Sequence, residues 1–314
     1  MNRSSRMGYL RVSLLSSCNL NCSYCRPVGE LTTPDIIAPV EKVCAAIDLL
    51  CGAGASKVRF TGGEPTLYKN LCEVVAHAKS CSPNVTTAMT TNGLALPKMA
   101  GKLGAAGLDS VNISLDTLDG VKFKTVTGFD LLNRVKEGIK AAIDTVPSVK
   151  LNCVMIRGMN DDEALAIIRF ADQLGVDLRF IEFMPNKYSS PGDSRFISGG
   201  DLRASLPLDF EEISTDSSSA ARYYQAESLS IRVGFIDPVS HPFCNLCNRV
   251  RLTADGWLYS CLFSSASINL FKLMSDGGSK AMRELKALLA SKEFVGCPSA
   301  RSDAALPSFL NLGG

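Results

Sequence analysis

Neither sign of charge is in excess in this chain: 33 Lys and Arg stand against 31 Asp and Glu, a net charge of +2 over 314 residues. The balance removes any global electrostatic case for wrapping nucleic acid or coating an acidic membrane, so an anionic ligand has to be met by a local group of cations. Long apolar runs are missing as well, and none reaches the length that spans a bilayer. Met1 to Arg6 are polar, and the short apolar stretch after them is broken by Ser16 and Ser17, so no export signal is expected. A G-x4-G-K-S/T run is absent, which excludes a P-loop, and no fixed-period repeat suggests a solenoid. Histidine and tryptophan are scarce, with 2 and 1 copies, whereas cysteine is abundant at 12. Without an export signal those thiols are expected to be reduced, buried or metal-bound, in a soluble cytoplasmic protein.

The first 185 residues alternate β-rich runs with helical stretches, which predicts an α/β fold with a parallel sheet, open or curled into a partial barrel. Strands are expected at Tyr9 to Leu15, Lys57 to Phe60, Thr86 to Thr90, Ser110 to Leu115, Val149 to Met155 and Asp177 to Phe183. Helical period marks Val40 to Cys51 and Glu163 to Leu174. In such a sheet, functional residues are expected at the carboxyl ends of the strands. Residues 186–226 are punctuated by Ser, Gly and Pro and read as a connecting region. A final section, 227–314, carries strand-like runs at Leu229 to Phe235 and Asn248 to Thr253, a turn at Asp255-Gly256 and a helix near Ala281 to Leu289.

Two groups of cysteines have ligand-like spacing. Cys18, Cys22 and Cys25 follow the first strand as C-x3-C-x2-C, and three thiolates converging on one centre leave a coordination position open, since closed zinc and iron-sulfur sites take four. Cys244, Cys247 and Cys261 form a second triplet, C-x2-C-x13-C. His241 lies three residues before Cys244, so a Cys3His zinc site is the alternative there. Cys44, Cys51, Cys72, Cys81, Cys153 and Cys297 have no such grouping and read as small core hydrophobes, and His77 as a surface or capping residue.

Cations recur inside the strands. Arg11, Arg59, Lys150 and Arg179 each have apolar neighbours on both sides, so alternation points them to the inner face of the sheet. Arg249 and Arg251, two apart, share one face of a strand near the second triplet. Such a group is costly unless anions compensate it, either internal carboxylates such as Glu64, Asp116 and Glu182 or a ligand such as a triphosphate.

The tripod, followed in register by Thr61-Gly62-Gly63-Glu64-Pro65, resembles the radical S-adenosylmethionine (SAM) superfamily. The likeness narrows to the GTP 3′,8-cyclases, the family that opens molybdenum-cofactor biosynthesis. It rests on Tyr9-Leu10-Arg11-Val12-Ser13, Thr90-Thr91-Asn92-Gly93, Asn112-Ile113-Ser114-Leu115-Asp116, Gly158 to Glu163, Arg179 to Met184 and Phe243 to Leu252. The resemblance implies a partial (β/α)6 TIM-like radical SAM barrel over 1–185, with a C-terminal extension carrying a second iron-sulfur cluster. It further implies two 4Fe-4S clusters, on Cys18, Cys22 and Cys25 and on Cys244, Cys247 and Cys261, the first with SAM on its open iron and the second open to substrate. Tyr24, Gly63, Ser114 and Met184 match SAM-contacting positions. Arg11, Arg59, Thr90, Lys150, Arg249 and Arg251 match positions that contact GTP, with Arg179 a weaker addition. Arg249 and Arg251, with the terminal Gly313 and Gly314, are expected to assist catalysis. In that family a 5′-deoxyadenosyl radical made from SAM removes hydrogen from the ribose 3′ carbon, which then bonds to carbon 8 of guanine. An electron donor of flavodoxin or ferredoxin type and product hand-over to a cyclic pyranopterin monophosphate synthase come with the resemblance. A homodimer is left open, as are a radical SAM enzyme acting on a related nucleotide or peptide and a zinc-stabilised binding module. Arg26 and Thr66-Leu67-Tyr68 depart from the family pattern.

Overall fold

A computed structural model describes residues 7–25, 35–184, 194–214, 219–264 and 267–290. Gly313, Gly314, Arg26 and Cys297 lie outside these described residues. Strands β1 (Tyr9–Ser13), β2 (Lys57–Thr61), β3 (Thr86–Thr91), β4 (Ser110–Ser114), β5 (Ser148–Met155) and β6 (Asp177–Glu182) run parallel, each bonded to the next. Helices α1 (Val40–Gly52), α2 (Leu71–Ser80), α3 (Leu96–Ala105), α4 (Gly120–Thr127), α5 (Leu132–Ile143) and α6 (Ala164–Gln173) fill the crossovers. The amphipathic stripe explains the layering: α1 buries Val43, Ala46, Ile47 and Leu50, spaced to lie on one face. That face meets the outer side of the sheet, where Leu10, Val12, Val58 and Phe60 are fully buried. Residues between them on β1 and β2, Arg11 and Arg59, therefore point inward.

Described strands from the rest of the chain cover both edges of this six-stranded unit. On one side β9 (Val233–Ile236) pairs parallel with β6 and carries β8 (Arg222–Gln225) and β7 (Glu211–Ile213). On the other, β10 (Arg249–Leu252) pairs parallel with β1, followed by the hairpin strand β11 (Trp257–Tyr259) and then β12 (Ser267–Asn269). One sheet of twelve strands results, in the order β12-β11-β10-β1-β2-β3-β4-β5-β6-β9-β8-β7. Pairing both edges removes the unpaired N–H and C=O rows that a six-stranded open sheet exposes. Helices α7 (Gly199–Ser205), α8 (Leu270–Asp276) and α9 (Gly278–Ala290) complete the described elements.

Two local expectations shift. β9 does not begin at Leu229, because 226–230 form a turn: Gln225 Nε2 donates to the Leu229 carbonyl at 2.7 Å, and Ser230 donates through N and Oγ to Asp172 Oδ1, both at 2.7 Å. The described part of 186–226 is a connection with structure of its own, since α7, β7 and β8 lie in it, α7 capped by Ser198, which accepts from Asp201 N at 3.0 Å. Among the described residues no helix is long and apolar enough to cross a membrane.

Candidate active site

The loop after β1 brings Cys18, Cys22 and Cys25 to a pocket of ≈ 210 Å³ at the carboxyl ends of the strands. Its position is fixed from several sides. Asn21 N and Ser23 N donate to the carbonyls of Thr127 and Val126 at the end of α4, at 3.0 and 2.9 Å. Asn92 Nδ2, after β3, donates to Asn19 Oδ1 at 2.7 Å. The glycine loop closes against the segment that precedes Cys18: Gly63 N donates to the Leu15 carbonyl and Glu64 N to that of Ser17, both at 2.8 Å. The approach is so close that a Cβ on Gly63 would lie 2.0 Å from the Ser17 oxygen. Gly62, at φ +149°, is similarly pressed, a Cβ there falling 2.7 Å from the Leu15 oxygen. Glycine is needed here for backbone-on-backbone contact as much as for ligand approach.

Glu64 is buried yet fully satisfied, accepting from Thr66 N and Oγ1, Thr91 Oγ1 and Asn92 N at 2.6 to 3.0 Å. Asp116, at the end of β4, accepts from Tyr24 OH at 2.7 Å and Val154 N at 2.9 Å. Asn160 fastens this corner by donating to the Asp116 and Val154 carbonyls, and Glu163 accepts from Thr117 and Leu118. The Gly158 to Glu163 stretch thus positions Tyr24 through Asp116. Burial, then the nearby Asp116, Cys25 and Cys18, hold the Cys22 thiol pKa well above its usual value. Three crowded thiols beside a carboxylate become thiolates only when a metal centre supplies positive charge.

A larger cavity of ≈ 650 Å³ opens toward the amino ends of the strands, lined by Gly8, Tyr9, Lys57 and Thr86 at that end. Thr90, Asn152 and Ile181 line both spaces, so the two meet inside the sheet. The expectation that function gathers at carboxyl ends holds for the smaller pocket only. Because β10 runs parallel to β1, the residues before it, with Cys244 and Cys247, fall at the amino ends, and the β10–β11 hairpin returns Cys261 to them.

Register explains the charge of this cavity. Lys57, Tyr9 and Arg249 are side by side across β2, β1 and β10, as are Arg59, Arg11 and Arg251. Adjacent parallel strands lie about 4.8 Å apart, so each row crowds its cations. Lys150 and Arg179 add to them from β5 and β6, and no carboxylate is among the described lining residues. Desolvation, then Arg251, Arg59 and Arg249, pulls the Arg11 pKa down to about 9, against an opposing pull from Tyr9. Desolvation and Arg249 pull Arg251 down to about 10. An Arg179 guanidinium nitrogen is buried without a hydrogen-bond partner among the described residues. Arg59 donates to the Met89 carbonyl at 2.8 Å, to Thr90 Oγ1 at 3.1 Å and to the Tyr9 hydroxyl. Desolvation raises the Tyr9 pKa, but Arg59, Arg11, Lys57 and Arg249 outweigh it and bring the hydroxyl down to about 7.

The structure thus gathers Arg11, Arg59, Thr90, Lys150, Arg179, Arg249, Arg251, Cys244, Cys247 and Cys261 around one cavity, and Cys18, Cys22, Cys25, Tyr24, Gly63 and Ser114 around the other. Met184, expected on the SAM side, lines the larger cavity. The carboxylates weighed as internal partners serve elsewhere: Glu182, for one, accepts from the backbone N–H groups of Gly199, Val239 and Ser240, anchoring the chain that leads to Cys244. Lys150 is instead paired with Asp177, which also holds Arg232. Cys44, Cys51, Cys72 and Cys81 are partly buried against the core and Cys153 is fully buried within it, as expected, and Cys81 also bonds to Asp48. A single zinc brings its sulfur ligands to about 3.8 Å from one another. Among the described residues neither triplet, with or without exposed His241, gathers three ligand atoms within 4.8 Å of one another; what fits a cluster is the donor set, three thiols around each cavity.

Residues 12–171 match the family profile described as Radical SAM superfamily, and residues 176–294 that described as Molybdenum Cofactor Synthesis C. A GTP 3′,8-cyclase of Nautilia profundicola is 38% identical over 291 residues, covering 91% of each chain. One of Peptoclostridium acidaminophilum is 40% identical over 84% of this chain and 83% of that one. Molybdenum cofactor biosynthesis protein 1 of Bos taurus is 36% identical over 87% of this chain, which spans 44% of that protein. In fold, the chain is similar to Streptococcus suis SuiB bound to S-adenosylmethionine, with TM-score 0.63 at 14% identity over 85% of this chain and 64% of that one. Native anSMEcpe with bound AdoMet gives TM-score 0.58 at 16% identity over 97% and 93%. Fold, tripod and matches together define a radical SAM enzyme, a class whose cofactors are an iron-sulfur cluster and SAM. Within that class the chain belongs to the GTP 3′,8-cyclase family.

Proposed function

We propose that this chain converts GTP to 3′,8-cyclo-7,8-dihydro-GTP, the first step of molybdenum-cofactor biosynthesis, in the cavity between its two cysteine triplets. The observation that carries this reading is a cation-lined chamber with no carboxylate among its described lining residues, meeting a tripod pocket at one end and bounded by three cysteines at the other. Cys18, Cys22 and Cys25 would hold the first 4Fe-4S cluster, which together with SAM would supply one-electron chemistry. Gly63, Ser114 and Tyr24 shape the SAM pocket, and Met184 closes it from the substrate side. Cys244, Cys247 and Cys261 would hold a second cluster, which would supply an iron able to bind the substrate. Arg11, Lys57, Arg59, Lys150 and Arg179 neutralise and orient the triphosphate, with Thr90 held by Arg59. Arg249 and Arg251 steady the reacting nucleoside, and Gly313 and Gly314 assist from the tail. Residues 1–185 form the catalytic barrel, 186–226 the connection and 227–314 the extension with the second cluster. A flavodoxin- or ferredoxin-type donor in the cytoplasm reduces the enzyme, and the product passes to a cyclic pyranopterin monophosphate synthase.

The test is anaerobic incubation of reduced, cluster-loaded protein with SAM and one nucleotide at a time. GTP should stimulate release of 5′-deoxyadenosine and give the cyclised nucleotide by mass spectrometry; greater stimulation by ATP, CTP or UTP would overturn the substrate assignment.

Tyr9 makes binding pH-dependent in this reading. Above pH 7 its phenolate competes with the triphosphate for Arg59, Arg11, Lys57 and Arg249, whereas below it the neutral phenol leaves them to the substrate. The apparent GTP dissociation constant should therefore rise as pH rises through 7, by up to about tenfold per unit relative to Tyr9→Phe. Equilibrium dialysis of both proteins between about pH 6 and 9 measures the difference; parallel curves would remove Tyr9 from the account.

A further inference from the structure

The packed faces of α1 and α2, on the outer side of the sheet, carry donor side chains that the proposed reaction does not use. Asp48 and Cys51 are three residues apart on α1; His77 and Cys81 are four apart across the end of α2. Both spacings place a pair on one helix face. Packing turns the two pairs toward each other: His77 Nε2 lies 2.9 Å from Asp48 Oδ1, and Cys81 Sγ 3.1 Å from the same oxygen. Cys51, on the same face of α1 as Asp48, stands near enough to Cys81 for each thiol to shift the other's pKa. Among the described residues, Asp48, His77 and Cys81 are the one set of three such donors whose ligand atoms all lie within 4.8 Å of one another.

The four donor types suit one ion, and so do the separations of the Asp48, His77 and Cys81 ligand atoms, with Cys51 turning its thiol in from the adjoining turn of α1. Two thiols, an imidazole and a carboxylate make a mixed soft and borderline set that selects zinc over magnesium or calcium. Around a tetrahedral zinc, oxygen and nitrogen ligands stand about 3.4 Å apart, and oxygen and sulfur about 3.6 Å. Opening the observed contacts by about half an ångström meets those values, a shift within side-chain rotation. Entry is free, since the Asp48 and His77 side chains are 57% and 31% exposed. An ordinary Asp–His surface pair explains one contact but not the two thiols brought to it.

We propose that Asp48, Cys51, His77 and Cys81 form a zinc site that joins α1 to α2 outside the catalytic cavity. Binding converts two thiols to thiolates and releases two protons, with the lone pair of His77 Nε2 and one Asp48 oxygen completing four ligands. No oxidation is involved.

The test uses holoenzyme with its iron-sulfur clusters assembled, so that the six cluster cysteines are occupied, equilibrated anaerobically with zinc sulfate and gel-filtered. About one zinc per chain should remain, and Cys81→Ser and His77→Ala should each retain at least about tenfold less at unchanged iron content. Zinc-edge X-ray absorption of the unaltered chain should show two sulfur and two nitrogen or oxygen ligands. Equal zinc in chain and variants, a shell of three or four sulfurs, or no retained zinc with a Cys51–Cys81 disulfide found by mass spectrometry would each overturn the proposal. Loss of GTP turnover is not a readout here, so failure of the zinc site and failure of the cyclase reading are separate results.

Discussion

Arg251→Ala is expected to lower GTP-dependent release of 5′-deoxyadenosine by about 10²- to 10³-fold while iron content stays at that of the parent chain. Arg251 lies in register with Arg11, itself in register with Arg59, so three guanidinium groups face one interior from neighbouring strands. Its pKa, about 10 after desolvation and the repulsion of Arg249, still leaves it charged at neutral pH. A cation held in place before the substrate arrives needs no reorganisation, and losing one such group costs about 3 to 4 kcal/mol of transition-state stabilisation. Removing it also relieves repulsion in the empty cavity, so thermal stability of the nucleotide-free chain should not fall. Iron loss in step with activity would mean that Arg251 supports the Cys247 end of the chain instead of the nucleotide.

The other large effect is expected at Gly63. Alanine there sets a Cβ against the carbonyl oxygens of Ser17 and Ser16, at 2.0 and 2.7 Å, and both are backbone atoms with no rotamer to move. The chain must shift, and the nearest segment able to do so is the one leading into Cys18. Gly63→Ala should therefore lose about half of its iron, roughly four atoms per chain, and with it SAM-dependent activity. Gly101→Ala is the control, because a Cβ in that α3 position meets nothing within 4 Å. Helix propensity there favours alanine by about 1 kcal/mol, so iron should be unchanged and stability slightly raised. Full iron content in Gly63→Ala would show that the glycine loop does not position the tripod.

Much of this site is legible in the sequence because it is local. The inward cations of β1 and β2 follow from alternation, and the tripod from its spacing. Lys57 escapes the same logic although it sits two residues before Arg59: it begins β2, next to Ser56, and lacks the apolar neighbour on each side that marks a buried strand cation. Tyr9 is missed for a related reason, since nothing in its own strand shows that Lys57 and Arg249 flank it. Those contacts depend on β10 inserting beside β1 across some 240 residues, a parallel pairing that no short-range pattern encodes. The partner of Lys150 is hidden in the same way, because Asp177 meets it through the β5–β6 register. The tripod lies at the carboxyl ends of the strands as alternation leads one to expect, whereas the second triplet reaches the opposite end because β10 pairs parallel with β1.

The account depends on GTP lying between two metal centres, its purine on the second. Electron paramagnetic resonance of the reduced enzyme, with GTP carrying nitrogen-15 in the guanine ring, tests this directly. The account predicts that GTP alters the signal of the centre lost in Cys247→Ser and that the label couples to that centre. A second-centre signal unchanged by GTP, with no nitrogen coupling at saturating nucleotide, would contradict it.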